Sequence, residues 1–266
     1  REALGLFREL EDRWGQMNTL VTLAVRAEVR GEYAEAARDR AAALEMAEEL
    51  GLWSEAAGAV AGLGRIALLE GDHARADRLH LRALEMVRGQ GDVAGEQYAR
   101  LGLGLGARRR GRWDEAERYV RPMAAWSLRV GWAPGAALAL AELGFAAEQR
   151  GDAAEALRLH REGLEQARRN ADPRALALAL EGVAGAHTLA GRHGAAARLL
   201  GTAEAAREGA GTPRPAAERS DVDRAAARAR AALGEEAFGR ALAEGRARKV
   251  ADLLDGSGTH PDLAGD

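Results

Sequence analysis

The chain of 266 residues contains no cysteine, which excludes disulfide frameworks and thiolate sites for metal or redox chemistry. Aromatic residues make up only 4%, and runs rich in valine, isoleucine or threonine are missing, so strands are not expected. No apolar run reaches the length of a membrane span, and the first eight residues lack the apolar stretch of a signal peptide. These absences predict a helical, cytoplasmic protein.

The charge balance is close to neutral, with 38 basic and 41 acidic residues and a formal net charge of -3. Such a balance argues against general nucleic-acid binding, although a local basic patch can still act. The densest basic run is Arg108-Arg109-Arg110-Gly111-Arg112. It has two interpretations, a solvated helix end whose cations meet the helix dipole, or a contact for phosphate and nucleic acid. The first is favoured.

What the chain does have is a glycine that recurs every 40 residues, each time at the start of a similar short motif. These glycines are Gly31, Gly71, Gly111, Gly151 and Gly191. A fixed period in this range is typical of stacked repeats, not of a single enzyme core. Residues 54–70 and 73–88 show how one unit divides, since each carries an apolar helical face and glycine ends each of them. The unit is therefore helix, turn, helix, turn.

Two further positions keep the same register. The first helix of each unit carries a large apolar residue followed by a small one, and the second helix carries an alanine. The pairs are Leu23-Ala24, Leu63-Gly64, Leu103-Gly104, Leu143-Gly144 and Val183-Ala184, and the alanines are Ala36, Ala76, Ala116, Ala156 and Ala196. Glycine inside a helix costs about 1 kcal/mol relative to alanine, so its recurrence indicates close helix packing. Trp14, Trp53 and Trp132 lie near the junctions between units, where we expect their rings to be packed at the seams.

These residues resemble the tetratricopeptide repeat (TPR), which has a leucine and a small residue on its first helix, a Gly-x-aromatic turn and an alanine on its second helix. Tyr33 and Trp113 match the aromatic position, whereas His73 and His193 replace it and Ala153 departs from it. The usual TPR unit has 34 residues, so each unit here is six residues longer. The resemblance implies an all-α, right-handed superhelical solenoid of period 40. HEAT repeats have this length too, but the turn motif favours TPR.

A narrower resemblance lies near the C-terminal end. Residues 197–205, 212–224 and 231–238 are similar to the end of the TPR region in large actinobacterial ATP-binding transcriptional regulators, of the antibiotic-regulatory-protein and LuxR-like types. In that family a nucleotide-binding module lies upstream and a DNA-binding module lies at one end, and neither is in this chain. The resemblance implies that the TPR part senses a partner or effector and restrains the ATPase.

The pattern divides the chain into four parts. Residues 1–13 are predicted to be the second helix of a truncated repeat, because Ala3-Leu4 aligns with Ala43-Leu44, and we expect the chain to be a piece of a longer protein. Residues 14–208 hold five TPR-like repeats. Residues 209–255 are predicted to be degenerate capping helices that have left the 40-residue register. Residues 256–266 are predicted to be a disordered tail.

No motif for catalysis is recognisable. The chain lacks a Gly-x-x-x-x-Gly-Lys-Ser/Thr loop, and Gly102–Ala107 only superficially resembles a dinucleotide loop because no strand precedes it. His80 and His160 occupy equivalent places on second helices and are expected to pack against neighbours, and no histidine pair has metal-ligand spacing. We therefore expect no enzyme activity, no cofactor and no metal.

The candidate binding residues come from the analogy with TPR grooves, which first helices line. Counting from the small-residue site gives a trough of aromatic and charged side chains, in which Tyr98 and Phe145 are expected to be exposed. The candidates are Arg65, Tyr98, Arg108, Arg109, Phe145, Glu148 and Glu181, with Leu68, Leu69, Leu101, Leu105 and Gln149 beside them. Such a surface suits an extended peptide, a helix or a small amphipathic effector.

The sequence thus predicts a non-catalytic interaction and sensor domain of a bacterial transcriptional regulator that binds a partner protein, a peptide or an effector in its groove. DNA would be reached only through modules that this chain does not contain, and a homodimer is compatible with the pattern. Three rivals stay open: a general assembly scaffold without an effector, a hidden enzyme site, and nucleic-acid binding through residues 108–112. Neither the ligand nor the oligomeric state follows from the sequence.

Overall fold

The structure is a computed structural model that describes residues 2–254 and 261–263. The described residues form fourteen α-helices and one 3₁₀ turn, and no strand occurs among them. The helices are α1 (Glu2–Glu9), α2 (Arg13–Arg30), α3 (Tyr33–Glu49), α4 (Trp53–Glu70), α5 (His73–Val87), α6 (Val93–Arg109), α7 (Trp113–Val130), α8 (Ala133–Arg150), α9 (Ala153–Asn170), α10 (Pro173–Leu189), α11 (His193–Gly209), α12 (Arg219–Leu233), α13 (Glu235–Arg246) and α14 (Val250–Leu254), and the 3₁₀ turn is Ala216–Glu218. The predicted all-α repeat of helix pairs is confirmed.

Each glycine of the 40-residue series occupies the turn inside a helix pair. The φ angles of Gly31, Gly71, Gly111, Gly151 and Gly191 are 78°, 82°, 73°, 84° and 77°. These values lie in the left-handed region, which costs glycine nothing and which a side chain disfavours. The first helices begin less regularly. An aspartate caps α2, α6 and α10, whereas α4 and α8 follow Leu52 and Trp132 without a side-chain cap.

The chain divides into two compact units. The first runs to Arg110 and includes Pro215–Ala217, and the second runs from Gly111 to Arg214 and resumes at Glu218. In the first unit each helix from α2 to α5 packs on the next, and α6 packs on both α4 and α5. In the second unit α7 to α11 pack in the same order, and α10 also contacts α8. Neighbour-to-neighbour packing of this kind is the defining property of a repeat protein.

The end of the second unit departs from this order. Helix α13 packs closely on α11, with α12 beside both. A Cβ atom on Gly245 would lie 1.9 Å from the carbonyl oxygen of Arg198, and one on Gly201 would lie 2.1 Å from the carbonyl oxygen of Leu242. The two backbones therefore meet at glycines, which only residues without side chains allow.

Two expectations need correction. Trp14 and Trp53 are 58% and 52% exposed, so the prediction that they are packed at the seams is wrong for both. Trp132 is 40% exposed, and its ring packs edge-on against Trp126 of α7, with ring centroids 5.8 Å apart. The expected disorder of residues 256–266 is wrong for residues 261–263, which form a turn in which Asp262 and Leu263 are buried. Residues 255–260 and 264–266 lie outside the described part.

Candidate interaction surface

Polar residues on the first helices of the first unit are already engaged. Arg65 on α4 donates from Nε to Glu28 Oε1 of α2 at 2.6 Å, and the arginine side chain remains 25% exposed. Arg109 on α6 donates from Nη1 to the carbonyl oxygen of Leu68 at 3.1 Å. Tyr98 is half-buried, not fully exposed as expected. The hydrogen bonds of Arg65 and Arg109 therefore join neighbouring first helices of this unit, and the surface that these side chains form is partly exposed.

The arginine run lies at the end of α6, as the favoured interpretation has it, but that interpretation is wrong for Arg108, which is buried instead of solvated. Arg108 is only 6% exposed, and Arg110 Nη1 lies 2.6 Å from Asp77 Oδ2 of α5. Arg112 pairs with Glu115 at 2.9 Å in the first turn of α7. Since acidic partners neutralise Arg110 and Arg112, they are poorly suited to binding phosphate. Gly102, from the run that resembles a dinucleotide loop, lies inside α6.

In the second unit the predicted exposure of Phe145 is wrong. Its side chain is 3% exposed and packs edge-on against His160, with ring centroids 4.9 Å apart. His160 comes from the second helix of the same pair, and its ring lies between Gly144 and Gly182. Cβ atoms on these glycines would lie 2.5 Å and 2.1 Å from atoms of the ring. The recurrent glycines thus make room for a buried imidazole.

Glu148 forms a buried pair with that imidazole. Its Oε1 lies 2.7 Å from His160 Nε2, and the glutamate is 5% exposed. Burial raises the pKa of Glu148, and the hydrogen bond from His160 offsets only part of this effect. This contact joins α8 to α9. Perturbed pKa values also occur at catalytic sites, but here both groups are enclosed in the helix stack.

Glu181 on α10 is the most enclosed of the predicted site residues. It is 2% exposed and accepts two hydrogen bonds from Arg207, at 2.6 Å and 3.0 Å. Arg214, which follows the end of α11, donates to the same carboxylate at 2.6 Å. Two arginines on one carboxylate are a strong charge-assisted arrangement that removal of either partner would disrupt.

The groove positions of the second unit, meaning Glu148, Gln149 and Glu181, are covered by the chain itself. Gln149 Nε2 donates to Asp221 Oδ1 of α12 at 2.9 Å, and Arg224 lies 3.9 Å from Glu148. The residues that cover them are called here the covering segment, Arg214 together with residues 219–224. Helix α12 therefore reaches α8, two first helices back, although a regular repeat contacts only its neighbours. Because the register breaks after residue 208, this contact could not be predicted from the repeat pattern.

The described residues contain no cluster of three or more histidine, cysteine or acidic side chains placed to hold a metal ion. Within the same residues no helix combines the length and apolar character needed to cross a membrane. The polar groups that the sequence singled out are thus assembled into hydrogen-bonded pairs between helices. The chemistry that this arrangement supports is recognition of charged side chains.

Comparison with known proteins gives a fold and no more. No protein-family model matches the chain, and no curated protein matches it either. Solved structures do match. BtubC (BKLC) from P. vanneervenii, a helical-repeat protein, superposes with a TM-score of 0.59 at 18% identity, over 80% of this chain and 90% of that one. The chain shares the helical-repeat fold of BtubC. At this identity the likeness concerns the fold alone, since one fold serves many functions.

Proposed function

We propose that the chain is a non-catalytic interaction and sensor domain that binds a segment of a partner protein on its first helices. The observation that carries this proposal is the covering segment. Glu181 and Gln149 hold Arg214 and Asp221 of another part of the chain by direct hydrogen bonds. A surface that holds one charged segment in this way has the chemistry to hold another.

The wider setting is proposed from the resemblance of residues 197–205, 212–224 and 231–238 to the end of the TPR region in actinobacterial ATP-binding transcriptional regulators. In that setting a partner or effector bound at the groove positions biases an attached ATPase. Contact with DNA is left to a separate module. The domain itself needs no cofactor for this role.

A direct test uses a labelled synthetic peptide of residues 212–226 and the full chain. Substitution of Arg214 and Asp221 by alanine removes hydrogen bonds that hold the covering segment and so exposes the groove positions. We expect the peptide to bind this variant, and to bind at least about tenfold more weakly when Gln149→Ala is added, because a neutral-to-charged hydrogen bond contributes about 1.5 kcal/mol or more. Glu165→Gln, an exposed change on the second helix α9, is the matched control and should leave affinity unchanged. A peptide that fails to bind the variant refutes the proposal.

The alternatives are a scaffold without an effector and a regulatory domain for a small molecule. A ligand that binds only the folded state raises the melting temperature, by mass action. Screening the full chain against small metabolites therefore separates the two, since a scaffold shows no shift. Size measurement in solution settles whether a homodimer forms.

A further inference from the structure

A second set of charged contacts, separate from the groove positions, holds residues 261–263. Asp262 is 3% exposed and Leu263 is 6% exposed. Arg198 on α11 donates to both carboxylate oxygens of Asp262, from Nη2 at 2.6 Å and from Nε at 2.9 Å. Arg248, just after α13, donates to Oδ2 at 2.6 Å. Two guanidinium groups thus bind one buried carboxylate.

The backbone carbonyl groups of Asp262 and Leu263 also accept hydrogen bonds. His187 on α10 is fully buried, and its Nε2 lies 2.8 Å from the carbonyl oxygen of Asp262. A carbonyl only accepts, so Nε2 donates, and Nδ1 is then free to accept from Arg192 Nε at 3.0 Å. Arg161 on α9 donates to the carbonyl oxygen of Leu263. Each of these groups therefore has one fixed role toward the bound residues.

The walls of this pocket are set by rigid packing. Thr202 Oγ1 of α11 donates to the carbonyl oxygen of Gly245 at 2.9 Å, next to the close approach of α11 and α13 at Gly245. This contact fixes the end of α13, and with it Arg248, beside Arg198. The backbone positions of the two arginines are therefore set by helix packing and not by their ligand. Such preorganisation lowers the entropic cost of binding.

We propose that this pocket is a recognition site for short peptide segments of a partner protein that carry an aspartate followed by a leucine, and that residues 261–263 are its tethered occupant. The bidentate arginine selects a carboxylate, because a neutral amide cannot accept from all of the donors present. The buried leucine supplies apolar area, at about 25 cal/mol per Å². Arg198 also lies 3.9 Å from Glu244, a longer contact than the one that it makes with Asp262.

Tethering has a measurable consequence. A ligand joined to its own site competes at an effective concentration of about millimolar, so a free peptide binds the unaltered chain weakly. Loss of the tethered occupant should make the pocket available. The pocket is separate from the groove positions, because the hydrogen bonds that hold Asp262 come from His187, Arg198 and Arg248 and not from Gln149 or the covering segment.

The test uses a fluorescent peptide of residues 259–265, Thr-His-Pro-Asp-Leu-Ala-Gly, and the full chain with Asp262→Ala and Leu263→Ala. We expect the peptide to bind this tail variant at least about tenfold more tightly than it binds the unaltered chain. A peptide with asparagine in place of its aspartate should lose at least about tenfold in affinity. Addition of Arg198→Ala to the tail variant should abolish binding, whereas Arg240→Ala, an exposed arginine on α13, should not change it.

Two outcomes overturn the proposal. One is the absence of binding to a folded tail variant. The other is equal affinity of the tail variant for the aspartate and asparagine peptides, which would show that the arginines do not select the ligand. Should the double change unfold the chain, Asp262→Asn alone keeps the size of the side chain and removes its charge, and the same peptide pair tests it.

Discussion

At the scale of single residues, the fold depends on buried imidazoles that fit against glycines. His80 lies between Gly64 and Gly102, and His160 occupies the equivalent place between Gly144 and Gly182. Val120 lies 40 residues after His80, and Leu200 lies 40 residues after His160, so from residue 80 onward the histidines alternate with apolar residues. Where Val120 replaces the ring, position 142 is glutamate instead of glycine. A smaller residue at the histidine position is thus accompanied by a larger residue at the glycine position of the next first helix.

This fit predicts opposite results for two glycine substitutions. A Cβ atom on Gly102 would lie 2.1 Å from His80, whereas one on Gly58 in α4 would meet nothing within 4 Å. Gly102→Ala should therefore lower the free energy of unfolding by about 1–3 kcal/mol through overpacking. Gly58→Ala should raise it by about 0.5–1 kcal/mol, since alanine is the better helix former. Urea unfolding of both variants checks the pair, and destabilisation by Gly58→Ala would contradict it.

The same histidines predict acid sensitivity. Burial lowers the pKa of His80 and of His187 to about 4. The unfolded chain therefore binds more protons than the folded chain below about pH 6.5, and stability is lost as the pH falls from there toward 4. The expected loss between pH 7 and pH 5 is about 2 kcal/mol for each histidine.

Urea unfolding at the two pH values measures this loss. His80→Val, which installs the residue of the equivalent position 120, should reduce the pH dependence even if it lowers stability at every pH. An unchanged pH dependence in that variant would mean that His80 already titrates normally in the folded chain.

At the scale of helices and turns, the second turn of each unit repeats a left-handed residue as faithfully as the first. Gly51, Gly91, Gly131 and Gly211 have φ angles of 68°, 75°, 72° and 61°. Ala171 occupies the same place with a φ of 51° although it has a side chain. The residue that follows α9 therefore adopts a conformation that is unfavourable for a residue with a side chain.

Ala171→Gly should consequently stabilise the second unit by about 0.5–1 kcal/mol, which is the left-handed penalty less the extra entropy of the unfolded glycine. Gly131→Ala, in the turn after α7, is the reciprocal change and should destabilise by a similar amount. Thermal unfolding of the two variants measures both signs. A fall in melting temperature for Ala171→Gly would show that the left-handed geometry is not required there.

Helix pairs and turns could be predicted from the sequence because they depend on local chemistry that repeats. Gly31 and its echoes carry their own conformational preference, and no distant residue has to be known. The burial of Phe145 and Glu181 could not be predicted, because it depends on His160 and on Arg214, and Arg214 lies where the register has ended. Residues 261–263 are likewise held by Arg198 and Arg248, which lie 64 and 14 residues before Asp262, while their own composition resembles a disordered tail.

At the scale of the whole chain, binding at the groove positions must be an exchange of partners. Gln149 and Glu181 already have protein partners, so an incoming segment gains only the difference between its contacts and those of the covering segment. Little apolar burial opposes this exchange, since the buried apolar residues of α12 are the small side chains of Val222, Ala225 and Ala229. Affinity is therefore expected to depend on how firmly the chain holds its own segment.

The measurement that tests this account most directly is a crosslink between α8 and the covering segment. The chain has no cysteine, so Gln149→Cys with Asp221→Cys can be joined selectively by a short bismaleimide. Gln149→Cys with Asp223→Cys is the control that should join poorly, because Asp223 is exposed and lies on the opposite face of α12 from Asp221. We predict rapid crosslinking of the first pair and loss of binding of the peptide of residues 212–226 once it is joined. Equal crosslinking of both pairs, or peptide binding that survives the crosslink, would contradict the claim that the covering segment occupies the binding surface.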